Sequence, residues 1–229
     1  MPERLTFTAP LDCYWLLEPP ESIDSRSLAV VALHGYGSNP EVMMRLTRAM
    51  LSGALGAQHA IAALQGPYPF YPDTTPGSPV GYGWITRSEA AASIRLHHLM
   101  LLHVFSDLER RYGLGADRRL LVGFSQPVGL NYRFSATHPD QVRGVVGICG
   151  GLPKDWDDGD YRSVPASLLH IARSADEFYP PEVTEKYAER LRLRASDVEF
   201  HQLEGGHRFP SKAGLLVEPW IERVFLSAP

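Results

Sequence analysis

Ser125, Asp176 and His207 follow one another in the chain, each placed just past a short apolar run. A serine hydroxyl is barely ionised at neutral pH, so it attacks a carbonyl only with a base in hydrogen-bond reach. An imidazole, with an ordinary pKa of about 6.5, suits that proton transfer. A carboxylate behind the imidazole fixes its tautomer and stabilises the imidazolium that forms. Ser125 lies in 120-LLVGFSQPVGL-130, where Leu120 to Val122 lead into Gly123-Phe124-Ser125-Gln126 and then Pro127. Glycine at 127 would complete G-x-S-x-G, the strand-to-helix turn that exposes a nucleophilic serine. The proline leaves two readings: a nucleophile in an altered turn, or an accidental match.

Each residue also has an ordinary alternative. Serine is favoured as a helix N-cap, which could be all that Ser125 does. Asp176 could be a surface acid, with neighbouring Glu177 as its substitute. His201 competes with His207 but lies inside a strand pattern, whereas Gly205-Gly206 let the loop before His207 fold tightly. Acyl chemistry further needs donors for a developing oxyanion. The backbone N–H of Gln126 is one; an N–H of the turn His34-Gly35-Tyr36-Gly37, that of Tyr36, is the other.

These residues need elements to position them. Runs at 28–33, 59–64, 119–124, 142–149, 167–172 and 198–203 read as buried strands, with two earlier extended pieces at 4–8 and 12–17. Helices are predicted from Pro40, over 88–112 with Gly113 as its stop, and over 127–137, 181–193 and 212–227. Strands alternating with helices give an α/β fold: a mostly parallel central sheet with helices on both faces, in one domain over 1–229. Ligands in such sheets bind at the carboxyl ends of the strands, where all the residues above fall. The segment 66–84 is rich in Pro, Gly and aromatics and too long for a simple connector. Of its aromatics, Tyr71, Tyr82 and Trp84 are candidates for the wall of an acyl pocket, against the alternative that they only pack the loop down.

Composition narrows the partners. The 229 residues carry a net charge of −4 with 44% hydrophobic and 21% charged residues, which gives no electrostatic reason for a nucleic-acid partner. No run approaches the roughly 18 apolar residues of a membrane span, and the first residues lack the apolar core of a signal peptide. A cytoplasmic protein with Cys13 and Cys149 as separate reduced thiols is expected. His97, His98 and His103 share a helix, but adjacent His97 and His98 cannot share a face, so no metal site is expected there. His34 is read as structuring its turn.

With those residues in view, the chain resembles the phospholipase/carboxylesterase family of α/β-hydrolases, which includes acyl-protein thioesterases and small bacterial esterases. The resemblance spans about 28 to 225 and rests on LHGYGS (33–38), GFSQ (123–126), ADEFYP (175–180) and GGH (205–207). It implies an α/β-hydrolase fold, Ser125, Asp176 and His207 as a triad, and the Tyr36 and Gln126 amides as oxyanion hole. It also implies no metal or organic cofactor and a small-molecule ester or thioester as substrate, with the assembly open between monomer and homodimer. The departure is Pro127, where the family has glycine. A proline there must find room against the sheet, and it biases Gln126 away from helical dihedrals. In the first helical turn, however, its missing N–H costs nothing. The competing expectation is a binding protein that kept the fold and lost turnover through Pro127. The short polar segment 150–166 offers no lid domain, so an open site for small or medium acyl groups is expected.

Overall fold

The computed structural model describes residues 1–52, 56–73 and 75–227. Its strands are β1 (Trp15–Glu18), β2 (Ala29–Leu33), β3 (Ala60–Leu64), β4 (Tyr68–Phe70), β5 (Gly81–Gly83), β6 (Arg119–Phe124), β7 (Gly144–Ile148), β8 (Ser167–Arg173) and β9 (Val198–Leu203). Among the described residues, seven of them form one sheet in the order β1-β3-β2-β6-β7-β8-β9. All neighbours are parallel except β1, which runs antiparallel to β3 at the edge. β4 and β5 pair as a separate antiparallel ribbon. Runs such as AVVAL and AIAAL, buried at every position, suit a sheet covered on both faces.

The cover comes from helices whose apolar stripes meet alternate strand residues. Val31, Leu33, Ala62 and Leu121 pack with Leu101, Val104, Phe105 and Leu108 of α2 (Ala90–Tyr112) and with Val128 and Phe134 of α3 (Pro127–Thr137). Val30, Ala32, Leu120 and Val146 face the other way, onto Met43 of α1 (Pro40–Met50) and Val217 and Trp220 of α6 (Gly214–Ile221). Asn39 caps α1 by accepting the Val42 N–H at 2.9 Å, with Pro40 in the first turn where a missing N–H is harmless. Gly113 ends α2 in the left-handed conformation.

The β4–β5 ribbon lies inside 66–84, read from the sequence as a long loop, and three further elements differ from that reading. Residues 4–8 form no strand and are exposed: β1 already occupies the sheet edge, and extended propensity without a neighbouring edge makes no ladder. The 181–193 helix is two pieces, α4 (Pro181–Thr184) and α5 (Tyr187–Arg192), separated by a turn at Glu185 and Lys186. The last helix carries Pro219 inside it and widens into π-helical turns over Glu222–Leu226, closed by Ser227 N–H onto Glu222 O at 2.9 Å. No described helix is long and apolar enough to cross a membrane.

Candidate active site

β6 runs straight into Ser125, whose φ of 63° is in the left-handed region that a non-glycine residue enters at a cost of about 1–2 kcal/mol. The turn is held on both sides. Ser125 N–H donates to Ile148 O at the end of β7 (2.8 Å), and Ser125 O accepts from Val128 N–H (3.1 Å) as α3 begins. Such strain at a half-buried polar residue, fixed by its surroundings, is characteristic of functional turns. Pro127 is buried at the first position of α3, and Gln126 before it is helical (φ −52°, ψ −44°), not extended as the proline bias predicts. The hydrogen bonds flanking Gln126 override that bias. Room for the helix comes from other positions. A Cβ at Gly123 would lie 2.6 Å from Asn131 Nδ2, and one at Gly147 or Gly150 would collide with Val128. The close approach of α3 therefore rests on glycines in and after the strands beneath it, and position 127 is free to be proline.

The loops after β8 and β9 bring the other two groups to Ser125. His207 Nε2 lies 2.8 Å from Ser125 Oγ, and His207 Nδ1 lies 2.8 and 3.0 Å from the two carboxylate oxygens of Asp176. Asp176 is 2% exposed, and its Oδ1 also accepts the backbone N–H groups of Phe178 and Tyr179 at 2.9 and 3.0 Å. Those hydrogen bonds hold the Asp176 side chain in place behind the imidazole. Gly205, at φ 120°, shapes the loop before His207, and a side chain there would run into the Arg173 guanidinium. Phe124 stacks on the imidazole at 5.4 Å between centroids and Phe178 meets it edge-on at 4.8 Å, which fixes the ring plane. Glu177 accepts the backbone N–H of His207, not its ring. His201 stays on β9, 3.5 Å from Glu199 and away from the serine.

The 34–38 turn and the aromatic segment are fastened together behind this row. Gly37 N–H donates to Tyr82 O (2.9 Å) and Tyr82 N–H to Ser38 O (3.1 Å), so β5 continues onto the turn. Gln126 Oε1 accepts the Trp84 N–H at 2.7 Å, and Trp84 Nε1–H donates to His34 O at 2.7 Å. The Tyr36 and Gln126 amides thus belong to two turns braced by one segment, 82–84. His34 is a structural residue. Its Nε2 accepts Gly66 N–H (3.0 Å), which requires the neutral ring, Nδ1–H donates to Gly35 O (2.8 Å), and burial lowers its pKa to about 4. Burial, then the charge of Asp176, raise the Cys149 pKa to about 12, so that thiol is no rival nucleophile. Cys13 is the other free cysteine and is exposed. Among the described residues no group of three or more His, Cys, Asp or Glu could hold a metal ion. His97 and His98 are core residues, against Trp84 and Asn131 and against Phe134 and His138 respectively.

No family model matches the sequence, and no curated protein matches it. Solved structures do. The esterase PE8 superposes with a TM-score of 0.74 at 23% identity, over 93% of this chain and 100% of that one. The carboxylesterase of Bacillus cereus gives 0.71 at 14% identity over 93% and 95%. A phospholipase/carboxylesterase from Dyadobacter fermentans gives 0.68 at 18% over 93% and 98%. The chain has the α/β-hydrolase fold.

In this α/β-hydrolase fold the ends of β2, β6, β8 and β9 carry the row of polar groups, and a cavity of about 860 Å³ opens beside it. Gln126, Gly129, Leu130 and Arg133 form one face of α3 along it. Residues 85–87 with Ala90 and Ile94 contribute further lining, as do residues 152–155, and Tyr179 lines it too. The three aromatics expected in a pocket do not line this cavity. Trp84 is fully buried because both its N–H groups are spent on internal acceptors. Tyr71 is 69% exposed, and Tyr82 pairs with Pro69 in the ribbon. Position 74 of that segment lies outside the described residues. The lining of this cavity is hidden in the sequence because it joins four distant stretches; the local signal is the helical spacing of 126, 129, 130 and 133.

Proposed function

We propose that the chain is a serine hydrolase that cleaves carboxylic esters, and thioesters of similar size, through an acyl-enzyme on Ser125. The observation that carries this is the continuous chain Ser125 Oγ–His207 Nε2–His207 Nδ1–Asp176, with links of 2.8 Å, on a serine held at φ 63°. With Nδ1–H donating to Asp176, Nε2 is the free base that faces the serine hydroxyl. Oγ attacks the carbonyl carbon as its proton passes to Nε2. The imidazolium then gives that proton to the leaving alcohol or thiol, and the acyl-enzyme forms. Water, deprotonated by the same nitrogen, releases the acid. Tyr36 and Gln126 N–H groups would receive the oxyanion, each donor being worth roughly 3 kcal/mol in such sites.

Every group this scheme uses is a side chain or amide of the chain itself. The resemblance of the motifs and the fold shared with esterases support ester over peptide substrates. Intact mass after exposure to a fluorophosphonate tests the proposal, on wild type and on Ser125→Ala. One adduct on the wild type and none on the variant is expected. A folded wild type that takes no label would sink the hydrolase reading and favour a binding role for the fold.

A further inference from the structure

The cavity beside Ser125 has a charge pattern that the hydrolytic scheme does not use. Resting on the ester-hydrolase reading, the geometry points to a substrate that carries an anionic group, a carboxylate or phosphate, separated from its ester by an apolar spacer. Near the nucleophile the lining is neutral: Gln126, Gly129 and Tyr179. The lining also holds Ile94, Leu130 and Leu152, with Arg133 on the same face of α3 as Gln126. Seven residues of helix separate Gln126 from Arg133, a rise of about 10 Å. Two more cations join Arg133 in the lining, from different stretches of chain: Arg87, from the segment before α2, and Lys154, from the segment after β7.

The carboxylates nearby do not cancel this charge. Asp155 is the single acid in the lining, and it is held by Arg133 in a two-pronged pair at 3.0 and 2.5 Å. Glu89, two residues from Arg87, is engaged with Arg4. Among the described residues Arg87 and Lys154 form no ion pair. The cavity thus holds an excess of two positive charges in a chain whose net charge is −4. A neutral acyl chain would leave those cations without a role; an anion at the end of an apolar spacer meets them while the spacer covers the isoleucine and leucines.

The test compares kcat/KM for mono-4-nitrophenyl adipate and 4-nitrophenyl hexanoate, in wild type and in the double variant Arg87→Gln/Lys154→Gln. The wild type should favour the adipate ester by on the order of tenfold, as charge contacts to the exposed Arg87 and Lys154 together would give, and the preference should shrink with added salt. In the double variant the ratio should fall toward one. A second pair places the anion on the leaving group, the hexanoyl ester of 4-hydroxybenzoate against that of 4-hydroxybenzamide. Preference in that pair alone keeps the anion site and moves it to the alcohol side. Equal rates within both pairs, or a ratio untouched by the double variant, overturn the inference. Calorimetric titration of Ser125→Ala with monomethyl adipate against methyl hexanoate reads the same preference without turnover. It decides the pocket even if the wild type hydrolyses neither ester, an outcome that would count against the hydrolase reading alone.

Discussion

Asp176 and Glu177 are neighbours that meet different atoms of His207: Asp176 takes the ring Nδ1, Glu177 the backbone N–H. Under the proposed mechanism only the first affects the base. Asp176→Asn should leave the fold intact and lower kcat by about 10⁴, because an amide favours the wrong tautomer of the ring. Glu177→Gln keeps an acceptor for the same N–H, and its kcat should stay within about threefold of wild type, as for other exposed charge changes. Steady-state kinetics of the two variants, with near-ultraviolet dichroism as the check on folding, separate the two acids. Equal losses would mean that the carboxylates act together and that Asp176 has no special place. The sequence left these two acids in competition; one hydrogen-bond distance separates them.

The turn from β6 into α3 is an element with one irregular residue, Pro127, and the structure explains why it is tolerated. The helix approaches the sheet over Gly123, Gly147 and Gly150, while Ser125 is pinned to Ile148 O and Gln126 to Trp84 N–H. Pro127→Gly should therefore change kcat/KM by less than about threefold, while stability falls by about 1 kcal/mol as the unfolded chain gains freedom. Urea denaturation and turnover of one ester measure both. A large gain in activity would instead show that the proline holds Ser125 out of place. The bias of proline against a helical Gln126 is overridden because that preference is local, whereas the turn is tied to distant chain, Ser125 N–H to Ile148 O and the Gln126 side chain to the Trp84 N–H 42 positions away.

Across the whole molecule, five histidines are buried as neutral rings: His34, His59 and His98 with pKa values lowered to about 4, and His97 and His170 to about 3. Burial is the leading cause in each. In the unfolded chain they titrate at about 6.5, so below that pH the unfolded state binds more protons than the folded one. Stability is therefore undiminished above about 6.5 and drops as pH falls toward 4, each ring contributing up to about 1.4 kcal/mol per pH unit in that window. The urea midpoint should be level between pH 8 and 7 and decline clearly by pH 5.5, above the range where ordinary carboxylates titrate. A midpoint at pH 5.5 equal to that at pH 7.5 would rule this out.

The sequence by itself determined the strand–helix alternation and the placing of Ser125, Asp176 and His207 just past strands, because periodicity and chain order are local properties. It located β6 and α3 to the residue, since an apolar run ending at Phe124 and a proline at a helix start each carry their own signal. Tertiary structure decided the rest. It chose Asp176 over Glu177, sent Trp84 into the core, left residues 4–8 without a sheet edge, and assembled the cavity from residues 85–94, 126–133, 152–155 and 179. Those outcomes depend on which atoms from distant stretches arrive within 3 Å of each other. No pattern of residue types along one stretch encodes that distance.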